Sequence, residues 1–151
     1  MRADGERGAS VVETVLVLPI FIAILMATLA FGLAAVAKAV VTNAARDAGR
    51  LAAIECGGGD PRWAADAEAA AVADLGHGLR VSAETPSPQS YGQWSFEASC
   101  SAPGTPGGTA GVVITYAEVD LFPPLLRLLS PGAPTGPAVL LLQAGADFPE
   151  E

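Results

Sequence analysis

Few residues in this 151-residue chain combine the types and spacing that chemistry needs. The single histidine, His77, stands between Gly76 and Gly78, where a turn is expected. Nothing set beside it completes a histidine pair, a zinc quartet or a histidine–carboxylate dyad. Gly57, Gly58 and Gly59 lack the following Lys and Ser/Thr of a phosphate cradle, and there is no dinucleotide fingerprint or nucleophile elbow. The carboxylates are scattered rather than paired in a catalytic pattern. The expectation is a protein with no enzymatic role, no cofactor and no metal.

Two features remain. Cys56 and Cys100 are the only cysteines. In an oxidising compartment they would form one bridge enclosing about 45 residues, worth on the order of 3–4 kcal/mol in the chain-entropy account. In a reducing compartment they would be two buried thiols. Glu13 lies inside an apolar run, where a carboxylate costs at least a few kcal/mol unless it reaches the headgroups or finds a cation. If the chain were cut after Gly8, the new amine of Ala9 would lie four residues before Glu13, one helical turn away. The two could then neutralise each other within a subunit or between packed subunits. An uncut helix with Glu13 near the headgroups is the alternative.

The element that carries Glu13 is the most legible part of the chain. Val11 to Val36 is a run of 26 residues in which Glu13 is the one strongly polar member, and about 20 suffice to cross a hydrocarbon core. A cleavable secretory signal is the rival, with Ala37-Lys38-Ala39 as the cleavage site, but such apolar regions span only about 7–15 residues. Beyond the span, Lys38, Thr42, Arg46 and Arg50 recur every fourth residue beside an apolar strip of Val40, Ala44, Ala48 and Leu51. An unbroken helix from Ala9 to Ile54 would be roughly 70 Å long, with Pro19 as a potential kink and the Gly57–Gly59 run as its stop.

After the glycines, Asp60 and Pro61 are expected to open a second helix, as cap and first helical residue, with Trp63, Ala67, Ala71 and Leu75 as its apolar strip. Gly76 and Gly78 end it. Strands are expected at Leu79–Ala83, Trp94–Cys100, Gly111–Val119 and Pro137–Ala146, between turns rich in Pro, Gly and Ser. The proline-broken apolar stretch from Leu121 to Leu129 is too short to span a bilayer and is expected to cover the sheet or to contact a neighbour or the membrane. The fold class is therefore α+β: a long N-terminal transmembrane helix over residues 9–55, with residues 1–8 a leader if the chain is cut after Gly8, then a small helix-plus-antiparallel-sheet domain over residues 56–151.

Composition agrees. Charged residues make up 16% of the chain and mean hydropathy is +0.42, too apolar for an ordinary soluble domain of this size. Residues 1–50 carry five basic and four acidic side chains, and residues 51–151 three basic against twelve acidic. With no basic stripe to neutralise phosphates, nucleic acid is excluded as a partner. Charge does not set orientation, because Arg2 and Arg7 on one side of the span face Lys38, Arg46 and Arg50 on the other.

The order Arg7-Gly8-Ala9-Ser10-Val11-Val12-Glu13, then Leu16-Val17-Leu18-Pro19, the apolar span and Thr42-Asn43-Ala44-Ala45-Arg46-Asp47-Ala48-Gly49-Arg50-Leu51-Ala52-Ala53 resembles TadE/TadG-like proteins over about the first third of the chain. The resemblance implies a minor pilin or pseudopilin of the tight-adherence (Tad, type IVc) pilus. It implies partners in membrane lipid, a prepilin peptidase, other pilin subunits and the assembly platform. It also implies a cytoplasmic-membrane anchor with the C-terminal domain outside the cytoplasm. On that likeness Gly8 precedes the cut, Ala9 becomes the first mature residue and Glu13 its fifth. Thr14 departs from the tyrosine typical of the small major pilins at that place, which together with the large following domain favours an accessory subunit. Two other classes stay open: a solitary membrane-anchored binding or adhesion domain, and a membrane-tethered hydrolase.

Overall fold

The protein is described by a computed structural model over residues 4–85, 90–101, 103–104, 109–119 and 139–149. In chain order it forms helix α1 (Asp4–Gly57), helix α2 (Trp63–Gly78) and strands β1 (Ala83–Glu84), β2 (Gln93–Cys100), β3 (Thr109–Val119) and β4 (Val139–Pro149). The architecture is α+β. The described residues fall into two compact units, one holding α1 as far as Leu33 and the other beginning at Ala34.

In the first unit α1 is a bare apolar rod. Val15, Leu16, Ile20, Phe21, Ile24 and Phe31 are all more than half exposed, and the most apolar window has no residue buried within the protein. The segment is long and apolar enough to cross a membrane. Thr28 is compatible with lipid because its hydroxyl donates to the Ile24 carbonyl at 2.8 Å, one turn back. Pro19 is incorporated within the helix.

In the second unit the later turns of α1 and the whole of α2 share a core with one face of the sheet. β2, β3 and β4 are antiparallel neighbours, whereas β1 adds a two-residue parallel pairing at the β2 edge. The period-two alternation of strands puts four rungs on the helix side: Trp94–Tyr116–Leu142, Phe96–Ile114–Ala144, Ala98–Val112–Ala146 and Cys100–Ala110–Phe148. Val41, Ala44, Ala45, Ala48 and Ala52 of α1 and Ala67, Ala71 and Leu75 of α2 are buried against them. Most of the side chains that the two helices bury are alanines, so much of the core volume comes from the sheet's aromatic and branched residues.

Several sequence-based boundaries shift. The strand expected at Leu79–Ala83 is irregular chain that reaches the sheet only at Ala83–Glu84. β4 runs three residues past Ala146 to Pro149. α2 begins at Trp63 with Arg62 as its N-cap, not at Pro61. Asp60 serves the preceding turn, where its Oδ1 accepts from the Arg62 backbone N–H at 2.8 Å. His77 stands in the last turn of α2 and not in a loop, since the helix runs through Gly76 to Gly78. The apolar strip of α1 is rotated towards Val41, Ala45 and Ala52, leaving Val40 and Leu51 half-buried. The stretch from Leu121 to Leu129 lies outside the described residues.

Candidate functional site

Gly8, Ala9 and Glu13 all lie on helical backbone near the start of α1. The Gly8–Ala9 peptide is thus inside a helix, and any enzyme that cuts it must first unwind that turn. Glycine lowers the cost of unwinding by about 1 kcal/mol relative to alanine. Glu13 is exposed on the helix surface beside Thr14, Val17, Leu18 and Phe21, so it meets whatever surrounds the rod.

At the other end of α1 a compact junction joins helix to sheet. Cys56, fully buried in the last turn, is disulfide-bonded to Cys100 at the end of β2, with Cα atoms 6.5 Å apart. The Cys56 carbonyl accepts hydrogen bonds from Gly59 N–H at 3.0 Å and Gly104 N–H at 2.9 Å. Both glycines hold positive φ, 72° and 74°, a backbone region that L side chains rarely adopt. Covalent and hydrogen-bonded ties therefore converge on one residue and fix the helix end to the turn after β2.

Around this junction carboxylates gather. Burial, followed by the charges of Asp66 and Asp60, raises the Glu55 carboxyl above its ordinary value, and its Oε2 has no hydrogen-bond partner among the described residues. Between α2 and β1, Glu68 is raised first by a hydrogen bond with the Glu84 side chain, then by burial and by the Glu84 charge. Two carboxyls that share a proton hold together when protonated and repel when both ionise. Among the described residues no three His, Cys, Asp or Glu side chains are grouped to hold a metal ion. His77 is exposed in a groove of about 350 Å³ with Val40, Asn43, Asp47, Asp74 and Gly78.

Contacts that sequence reasoning missed hold the head in register. The fully buried Tyr116 donates its hydroxyl to the Arg80 carbonyl at 2.8 Å. Its pKa is pushed up to about 12, by burial first and then by Glu118 and Tyr91, against the smaller opposing effects of that hydrogen bond and the Arg80 charge. Lys38 Nζ donates to the backbone carbonyl of Gln143 on the edge strand β4. A lysine beside an edge strand discourages addition of a foreign strand there.

These features define a class: a helix able to span a membrane that continues as the packing helix of a disulfide-stapled α+β head. Over residues 8–50, the anchor and the first turns of the head, the chain matches the family model described as TadE-like protein. No curated protein and no solved structure matches the chain.

Proposed function

We propose that this chain is a membrane-anchored minor pilin or pseudopilin that supports assembly of the Tad pilus and surface adhesion. Residues 1–8 serve as a leader removed by a prepilin peptidase. The apolar part of α1 holds the subunit in the cytoplasmic membrane, and the head lies outside the cytoplasm. The observation that carries this reading is the TadE-like match over residues 8–50, which covers Gly8, Ala9, Glu13 and the entire apolar run.

Physical features support it. A carboxylate on a lipid-facing helix is costly unless paired, and an amine created at Ala9 is one turn from Glu13. The Cys56–Cys100 bridge suits an oxidising compartment, which favours an external head. Pilin subunits, the assembly platform and lipid are the partners on this reading. The deciding experiment is fractionation of cells that express the epitope-tagged chain and assemble the pilus. Recovery in sheared filaments or in complexes with the platform is expected. Recovery in the membrane alone, with normal piliation after deletion, would leave the solitary anchored domain as the better account.

A further inference from the structure

We propose that the end of the sheet carrying Tyr91, Leu140 and Leu141 rests in the headgroup layer of the bilayer that α1 spans. The level of that end is fixed inside the second compact unit, which begins at Ala34. At the top of the helix–sheet contact, a Cβ on Gly49 would stand 3.3 Å from the Ala146 Cβ and 2.9 Å from the Phe148 ring. Lower down, Lys38 Nζ reaches the Gln143 carbonyl. β4 therefore runs beside α1 in the same direction, and its first residues lie towards the apolar run. Asp147 stands between the two upper contacts, and Leu141, six residues before it, is about 20 Å down the strand. Val36 is about as far down the helix from Gly49. It closes the apolar run and is 61% exposed.

Other contacts place the rest of this end. α2 returns towards the span, since a Cβ on Gly78, its last residue, would stand 2.9 Å from Val40 Cγ2. Tyr91 precedes Gly92, whose N–H donates to the Ala117 carbonyl at 3.0 Å, and Ala117 pairs with Leu141. The opposite end of the sheet is tied to the end of α1 by the Cys56–Cys100 bridge. Side-chain character divides in the same way. Leu141, Tyr91 and Leu140 are 54%, 44% and 39% exposed, and Lys38 and Arg80 are exposed cations at the same end. Glu118 there is buried, Glu84 is hydrogen-bonded to Glu68 of α2, and Glu55, Asp60 and Asp66 stand around the far junction. Leucine suits the acyl boundary and tyrosine the headgroup level, while lysine and arginine suit anionic phosphates. Continuity with the span selects lipid as the occupant, because the patch begins at the level where the apolar run ends.

The inference rests on α1 as a membrane anchor and not on assembly into a pilus. Its test therefore uses purified full-length chain, reconstituted as single copies in nanodiscs of phosphatidylcholine and phosphatidylglycerol with the Cys56–Cys100 bridge intact. Each variant carries an environment-sensitive fluorophore on one added cysteine: Leu141→Cys or Tyr91→Cys at the near end, Thr109→Cys at the far end beside Pro149, or Phe21→Cys in the apolar run. Thermal melts report that each variant is folded. Lipids with a nitroxide at the headgroup or upper acyl chain are expected to quench the probes at 141 and 91 at least about threefold more than the probe at 109. Nitroxides deep in the acyl chain should quench the probe at 21 best. Quenching at 141 and 91 no greater than at 109, with the probe at 21 quenched, overturns the proposal and leaves the anchor standing. No quenching at 21 removes the anchor and the proposal with it.

Discussion

Gly49 of α1 lies against the ring of Phe148 on β4: a Cβ at position 49 would stand 2.9 Å from the ring's Cε2 and 3.3 Å from the Cβ of Ala146. A glycine inside a helix costs about 1 kcal/mol relative to alanine, and here the loss is exchanged for a close approach of helix to sheet. Gly49→Val is therefore expected to destabilise the head by about 1–3 kcal/mol through overpacking. Phe148→Ala in the same chain should recover much of that cost. A double-mutant cycle of thermal or urea unfolding checks the coupling, and additive effects would mean that the ring is not the obstacle.

The bridge between Cys56 and Cys100 closes a loop across 44 positions, and its removal is expected to cost on the order of 3–4 kcal/mol. Cys56→Ala with Cys100→Ala should lower the melting temperature of the head, and reductant should lower that of the parent but not of the double variant. Peptide mapping without reduction should show the two cysteines linked. Free alkylation of both in native protein would contradict the bridge and weaken the case for an external head.

Much of this architecture is legible in the sequence, and the failures share a cause. The apolar run, the glycine stop after Ile54 and the strip of Ala67, Ala71 and Leu75 are readable because periodicity or composition changes sharply there. The buried face of α1 is displaced from Val40 and Leu51 to Val41 and Ala52 because alanines stand on nearly every side of that helix, which blunts a period of 3.6. Leu79 to Ala83 has strand-like residues, but all except Ala83 stay outside the ladder. The site residues differ in the same way. Gly8, Ala9 and Glu13 are proposed from local sequence and the family likeness, whereas Tyr116 with Arg80 and Lys38 with Gln143 meet only through the fold, at separations of 36 and 105 residues.

Tyr116 gives the head a defined alkaline limit. The phenol titrates near 10 in the unfolded chain and at about 12 in the folded one. Between those values the unfolded state has released its proton and the native state retains it, so stability falls as pH rises. Its contribution is complete below pH about 10 and is lost through pH about 12. Tyr116→Phe is expected to cost about 1 kcal/mol at neutral pH, since the Arg80 carbonyl loses its donor, and to flatten this part of the pH profile. Denaturant midpoints of both proteins across that range check it, and parallel profiles would assign the alkaline limit elsewhere.

Gly8 and Glu13 are expected to govern separable steps. The Gly8–Ala9 bond lies on helical backbone, so a peptidase must open that turn, and alanine at position 8 both strengthens the helix and adds a methyl group at the cut. Gly8→Ala should therefore be cut poorly or not at all while still inserting in the membrane. Glu13→Ala removes a carboxylate that lipid disfavours, so insertion should be unimpaired or improved. The same change removes the partner of the new Ala9 amine. Without that pair, side-by-side helices keep only apolar contacts, which are weakly directional in lipid, and piliation should fail although the chain is processed. N-terminal sequencing of protein from cells with the matching peptidase reads the first step, and counting filaments reads the second. A mature chain beginning at Met1 in the parent protein would refute processing, and normal filaments from Glu13→Ala would refute the role of the charge pair.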